Sequence, residues 1–355
     1  MVLFRESENR LTGPGPWWWD GAMRSEFSIA VDRGTYLYAP TPWEQGRWRA
    51  EALDWVAGRL AAHGLRVNGI LRVRLRPWSV LVRVPVEGRD AVWFKANPPA
   101  SAFEGPLTAA LARWVPEQVL RPLAVDADRA WALLPDGGEL FRDVLAREAA
   151  EPRSWEEPLR QYARMQRSLT RYARDIERLG VPATRTLGLP AEFDRLLARN
   201  TALSPEDRAR LERLRPRLAH WCAELASVGV ADTLDHADLH DGQLFRPAPG
   251  RFVFFDWGDA AVSHPFCSLR VPAEKARARY GPRVLARLLD AYLEPWTDTG
   301  RTAAELRRAA RLAWRLSALG RAASWGRTFP APSGAAAGSE HSAASLLELL
   351  GDPPF

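Results

Sequence analysis

Two acidic residues, Asp238 and Asp256, stand eighteen positions apart in the stretch HADLHDGQLFRPAPGRFVFFDWGDA that runs from His236 to Ala260. Between them lie a polar turn, the apolar pair Leu244 and Phe245, a loop holding Pro247, Pro249 and Gly250, and the strand-like run Phe252 to Phe255. The turn residues predict that the two apolar pieces fold back on each other as a hairpin. A hairpin brings its ends together, so the two carboxylates are expected to face one site. One can then orient a hydroxyl while the other holds a divalent cation, which is the division of labour that phosphoryl transfer needs.

A second set lies upstream. Residues 71–96 read as three short strands: Leu71 to Leu75, Val80 to Val84, and Ala91 to Lys95, linked by turns at Arg76–Ser79 and Glu87–Asp90. The third ends on Lys95. Lys95 and Lys275 are the only lysines among 49 basic residues, so a lysine at a strand end stands out against an arginine background. It presents a mobile point charge on a long stem, suited to a phosphate. Glu104 follows nine residues later, at the start of a helical segment reaching Trp114, and is the candidate partner that would hold Lys95 in place. The run Arg129 to Gly138 reads as a strand entering a glycine-rich linker.

Together these segments resemble the aminoglycoside and choline kinase-like phosphotransferases, over roughly residues 71 to 270. The resemblance implies an α+β, bilobal, protein-kinase-like fold, with a small antiparallel-sheet N-lobe and a larger, mainly helical C-lobe. It implies three regions: residues 1–70 as an extension packing on the N-lobe, 71–137 as the N-lobe with its nucleotide-binding sheet, and 138–355 as the C-lobe with the catalytic loop and acceptor pocket. By the same resemblance the cofactors are ATP and Mg²⁺. Asp238 is the catalytic-loop aspartate, Lys95 reaches the phosphates with Glu104 as its helix partner, and Asp256 binds Mg²⁺. Gln243 stands where the family has a metal-binding asparagine, and one added methylene displaces its amide by about 1.5 Å. Leu134 marks the hinge beside the base, with Asp136 the acidic residue after that strand. Ser79 is a phosphate contact in a first loop, Arg76–Ser79, that has no glycine. Asp259 touches substrate or braces its loop. Ala237 replaces a glycine frequent in the family, His236 packs beneath the catalytic loop, and His264 is structural.

The implied activity is transfer of the γ-phosphoryl group to a hydroxyl of a small molecule: an aminoglycoside or other antibiotic, a sugar or an amino-alcohol. The departure at Gln243 keeps open a catalytically impaired, nucleotide-binding regulatory or interaction protein. A metal-dependent hydrolase is a third reading, and His236-x-Asp238-x-His240 imitates a zinc set without a further soft ligand.

Bulk properties agree with a globular chain. At 355 residues, 46% hydrophobic and 26% charged, it can bury a sizeable core. A formal charge of +6 favours anionic partners weakly, without the compact basic tract with interleaved aromatics of a nucleic-acid binder. Cys222 and Cys267 sit in apolar surroundings and read as buried thiols. No apolar run reaches membrane-span length and no signal-peptide core is present, so a soluble cytoplasmic protein is the default expectation.

The remaining elements follow from periodicity. Residues 27–38 supply a strand or hairpin. Helices are expected at 42–64, 155–180, 189–199, 205–229 after Ser204 as cap, 271–294 and 302–324, then a loop at 328–342 and a short helix at 345–350. Trp17 to Trp19 read as a loop over an apolar surface. Asp290, Glu294 and Asp298 are candidates to meet a cationic acceptor, and Trp314 and Trp325 to pack or to line its pocket.

Overall fold

The computed structural model describes residues 29–148, 151–328 and 335–355; the expectation for Trp17 to Trp19 lies outside them. The chain divides into two compact units. One holds the chain up to Ala109 together with Arg121–Asp136, and the other Ala110–Leu120 and Gly137–Phe355. Together they form the α+β, bilobal, protein-kinase-like fold, with a sheet in the N-terminal unit and a larger helical C-terminal unit.

The first unit is built on a six-stranded sheet: β1 Ile29–Asp32, β2 Leu71–Arg76, β3 Ser79–Val84, β4 Val92–Ala96, β5 Ala124–Asp126 and β6 Trp131–Pro135, in the order β1-β2-β3-β4-β6-β5. It is antiparallel except at its edge, where β1 pairs parallel to β2. Strict alternation in β2 to β4 gives the sheet one apolar face. Against that face packs α1 (Gly46–Ala62), with Ala52, Val56 and Leu60 buried. Its Trp48 and Trp55 meet Trp131 edge-on at 5.6 and 5.8 Å, and Phe94 lies 5.7 Å from the same ring. Residues 29–62 are therefore part of the sheet's own core. The three-residue β5 is too short to show any alternation in the sequence.

α2 (Glu104–Trp114) begins on the glutamate itself. The Gly105–Pro106 pair that follows has a steric reason. A Cβ on Gly105 would come within 3.0 Å of the Val125 side chain, so glycine lets the first helical turn lie close to the sheet.

The second unit carries α3 Phe141–Arg147, α4 Glu156–Leu169, α5 Ala173–Arg178, α6 Leu189–Arg199, α7 Pro205–Ser227, α8 Arg270–Tyr280, α9 Val284–Leu293, α10 Ala303–Thr328 and α11 Ala335–Leu347. Two two-stranded sheets sit among them: β7 Thr233–Asp235 with β10 Ala261–Ser263, and β8 Leu244–Ala248 with β9 Arg251–Phe254. The Ser204 side chain caps α7 by accepting from the Asp207 N–H, ahead of Pro205. Two expected helices and one expected loop need correction. The segment 155–180 is broken by a 3₁₀ turn at Thr170–Tyr172. The segment 271–294 is interrupted at Gly281, whose φ of 81° is left-handed. The expected loop at 328–342 is helical from Ala335, where an Ala-rich run helps helix formation while Gly338 and the serines mask the signal. Among the described residues no helix is long and apolar enough to cross a membrane.

Trp131 is 3% exposed at the centre of the aromatic cluster. Trp131→Ala should destabilise the first unit by about 4 kcal/mol, read as loss of hydrogen-exchange protection at the β4 and β6 amides.

Candidate active site

In the first unit the site residues share one sheet face. Lys95 pairs in register with Leu81 of β3 and Ala132 of β6, and Trp93 with Leu134. Alternation then puts Ser79, Lys95 and Leu134 on the side opposite the aromatic core. The Lys95 ammonium lies 2.7 Å from Glu104 and both side chains are nearly buried. Asn97 Nδ2 donates to the other side of this arrangement, reaching Glu104 Oε2 at 2.6 Å. A buried carboxylate with two donors holds the lysine stem in one pose. Leu134 is half-buried on β6, and Asp136 accepts from the Trp93 indole N–H at 2.9 Å, fixing the exit of that strand. Ser79 opens β3 opposite Arg76 across the Pro77–Trp78 turn. Arg76 is held by Asp32, 3.1 Å away, and so serves to fix β1.

In the second unit the expected hairpin forms. Leu244 pairs with Phe254 and Phe245 with Val253, with an irregularity before Ala248 opposite Arg251. The turn passes through Gly250 with φ 73°, and the Phe255 N–H donates to the Gln243 carbonyl at 3.1 Å to close the base. Asp238 and Asp256 are thereby brought together. Asp238 keeps 41% of its side-chain surface open. Even so, surrounding protein atoms and the like charges of Asp259 and Asp256 push its carboxyl up to about 7. Gln243 Nε2 donates to Asp238 Oδ2 across 3.4 Å. Both flanking positions are left-handed: Ala237 at φ 62° and Asp256 at φ 65°. Each carries a Cβ where glycine would be unstrained, at about 1–2 kcal/mol apiece, and such strain persists only where the surroundings over-determine it.

Those surroundings are a buried polar network. Asp235 accepts from the Ala237 N–H at 2.9 Å and from Ser263 Oγ at 3.0 Å, and it also bonds Ser268 Oγ. Gln166 of α4 donates to the Leu234 carbonyl at 2.8 Å and to Ser268 Oγ at 3.0 Å. The His236 N–H donates to the Tyr162 hydroxyl at 3.0 Å, and His236 Nε2 lies 2.8 Å from the Phe255 carbonyl, which makes that nitrogen the donor. His236 thus ties the residue before Asp256 to the chain two residues before Asp238. Burial holds its imidazole below the usual histidine range. It is a brace, as its place beneath the loop implied.

Three further residues act on the loop. His240 Nδ1 accepts from the Gly242 N–H at 2.9 Å, so its other nitrogen carries the proton and lies 3.6 Å from Asp238 Oδ2. Burial and the nearby Arg142 guanidinium bring this imidazole down to about 4, so it is neutral at pH 7. Arg142 reaches Asp241 at 3.1 Å from α3 and packs where a Cβ on Gly242 would stand. Lys275, exposed on α8, opposes the upward shift at Asp238 through its charge. Arg142 is about a hundred residues from the loop and gave no sequence signal. The rarity of Lys275 was the one available hint.

The donor set suits a hard divalent cation. Asp256 offers a carboxylate, Gln243 an amide oxygen, and three crowded carboxylates gain from a cation that relieves their repulsion. No three His, Cys, Asp or Glu among the described residues form a closed metal cage. Mg²⁺ bound through one or two carboxylates plus phosphates does not require one. The residues fit such an ion.

The acids expected as contacts for a cationic acceptor each pair with an arginine. Asp290 pairs with Arg307 at 2.7 Å, Glu294 with Arg160 at 2.5 Å and Asp298 with Arg167 at 2.8 Å. Asp290 and Glu294 line a groove of about 460 Å³ whose walls do not include Asp238, Asp256 or Asp259. Trp314 is buried against Phe355 and Arg270, and Trp325 stacks on His341. Cys222 is buried and Cys267 partly so.

No family model and no curated protein matches the chain. Solved structures do, and they show the fold alone: it is the one seen in aminoglycoside and choline kinase-like phosphotransferases. In particular, the chain is similar to the macrolide 2′-phosphotransferase MphH of Brachybacterium faecium, with TM-score 0.54 and 20% identity over 83% of this chain and 98% of that one. It is similar to APH(2″)-IIIa, solved with GDP and kanamycin, with TM-score 0.53 and 13% identity over 82% and 98%. A proposed fructosamine-3-kinase of Thermobifida fusca YX-ER1 aligns with TM-score 0.51 and 19% identity over 83% and 97%.

Followed by carbon-detected NMR in the nucleotide-free protein, the Asp238 carboxyl should titrate near pH 7. Asp259→Asn removes a like charge, which favours the ionised form, so the same titration should move to lower pH. An Asp238 midpoint near 4 in the parent chain would refute the crowding described here.

Proposed function

We propose that the chain is an ATP-dependent O-phosphotransferase that moves the γ-phosphoryl group to a hydroxyl of a small molecule. The observation that carries this reading is the pair of strained loops bearing Asp238 and Asp256, held side by side over a buried network and crowded by Asp259. Expensive backbone and like-charge repulsion together mark a site built for chemistry.

In this reading Asp238 accepts a hydrogen bond from the acceptor hydroxyl and takes its proton as the oxygen–phosphorus bond forms. The bond from the γ-phosphorus to its bridging oxygen breaks, and the electron pair leaves with ADP. Orientation supplies most of the rate, because the transition state is loose. A carboxyl raised to about 7 is a stronger base than an ordinary aspartate and still partly ionised near neutrality. Lys95, fixed by Glu104, supplies a positive point charge to the phosphates, with Ser79 and Leu134 on the same sheet face for the nucleotide. Asp256 and the Gln243 amide oxygen would hold Mg²⁺, which neutralises phosphate charge when bound. Asp259 steers the acceptor or raises the basicity of Asp238. The acceptor class extends to antibiotics, sugars and amino-alcohols.

One observation favours a second reading, a catalytically impaired nucleotide-binding relative: the Gln243 amide is turned to Asp238. The two are separated by release of the nucleoside diphosphate, ADP from ATP or GDP from GTP, with Mg²⁺ and a panel of hydroxylated acceptors. Asp238→Asn should lower transfer at least about 10²-fold while a fluorescent nucleotide still binds. Full turnover in that variant would reject the catalytic assignment. Nucleotide binding without transfer to any acceptor would favour the impaired relative.

A further inference from the structure

A narrow cavity opens beneath the catalytic loop, with Ala237 and Asp259 at one end. Its wall includes His264 and Arg321, with Cys267 and Ser317 beside them. About 20 Å³ of space is free inside, enough for one terminal group or one water and too little for a ring.

Two hydrogen-bond donors at this cavity lack a protein acceptor. His264 is 2% exposed. Its Nδ1 accepts from the Phe266 N–H at 3.2 Å, so the proton of the neutral ring sits on Nε2. That Nε2–H is buried with no hydrogen bond, and so is the Arg321 Nε–H. Arg321 is anchored by Glu348, and Glu274 lies 3.8 Å away, so its charge is balanced while its Nε donor stays open. The acids at the cavity do not compete for these donors. Asp235 is bonded to Ser263, Ser268 and the Ala237 N–H, and neither it nor Asp259 accepts from these donors. A buried donor left unmatched is costly, and such donors on two side chains of one cavity select for an oxygen.

We infer that this cavity is a subsite for an oxygen-bearing end of the acceptor, a carbonyl or carboxylate, received by His264 Nε2–H and Arg321 Nε–H, while the hydroxyl to be phosphorylated lies at Asp238. The inference rests on the phosphotransferase reading for the word acceptor alone. An ammonium group is disfavoured there, because it would meet the unmatched His264 and Arg321 donors, one of them cationic. Selectivity of this kind comes from unpaired polar groups rather than from size. The reacting hydroxyl and the recognised oxygen then belong to one molecule, which makes hydroxy-carbonyl and hydroxy-carboxylate compounds the favoured acceptors over polyamines.

The test uses the full chain without nucleotide, so its outcome is independent of whether transfer occurs. Acetate, acetamide and methylammonium are titrated to 100 mM while the His264 Nε2–H resonance is followed by ¹⁵N–¹H NMR. His264→Asn keeps a cap acceptor for the Phe266 N–H and assigns the resonance by its loss. Acetate and acetamide should shift the signal saturably, and methylammonium should not. Arg321→Lys retains the charge but removes the Nε donor, and should weaken the oxygen ligands at least 5-fold. A larger effect of acetate would name carboxylate, and equal effects a neutral carbonyl. Absence of a saturable shift with both oxygen ligands, or an equal shift with methylammonium, would overturn the subsite and leave the cavity to a structural water. Should transfer to every hydroxylated acceptor fail while the shifts appear, the subsite stands and the phosphotransfer reading falls.

Discussion

Asp235 holds the site in shape. Its carboxylate is buried, a position that raises its proton affinity, and it is made tolerable by three donors from three places in the chain. One is the backbone of Ala237, at the entrance to the loop that carries Asp238; another is Ser263, on the strand that leaves the second loop; the third is Ser268, itself bonded by Gln166 from α4. A single acidic group therefore fixes the entry and exit of the whole stretch from 236 to 263. Remove its charge or shape and the left-handed turns at Ala237 and Asp256 lose what enforces them. The partial exposure of Asp238 and the strain beside it are tolerated because the layer below bonds Asp235 on three sides.

The two units use the same physical device in different materials. In the sheet unit a buried ion pair, Lys95 with Glu104, is set at a helix start that glycine allows to come close. In the helical unit buried hydrogen bonds do the positioning and the charges are pushed outward, where they repel one another. Like charges gathered in one place are unstable alone and become favourable when a cation or a positively charged group joins them. Lys275 already relieves a part of that repulsion from the rim.

What could be read from the sequence was what local chemistry determines. The hairpin from Leu244 to Phe254 was legible because Pro249 and Gly250 leave the chain few ways to turn, and the Lys95–Glu104 pair because a strand end and a helix start are both locally marked. β5, β7 and β10 were not, since three residues carry no period. The pairing of Asp290, Glu294 and Asp298 with arginines was invisible: with 47 arginines in the chain, almost any surface acid finds one, and sequence does not say which. The part played by Arg142 and the cavity at His264 depend on contacts between distant segments. His264 reads as structural in sequence because its Nδ1 does structural work, while the chemistry lies on its other nitrogen.

The arginine bias also makes the protein nearly silent to amine-directed reagents. Its side-chain amines number two. One is paired inside a sheet with 12% of its surface open, and the other stands exposed on α8. Among side chains an acylating label would therefore report almost solely from Lys275, whose charge is felt at Asp238, giving a chain of this size one side-chain address for a dye.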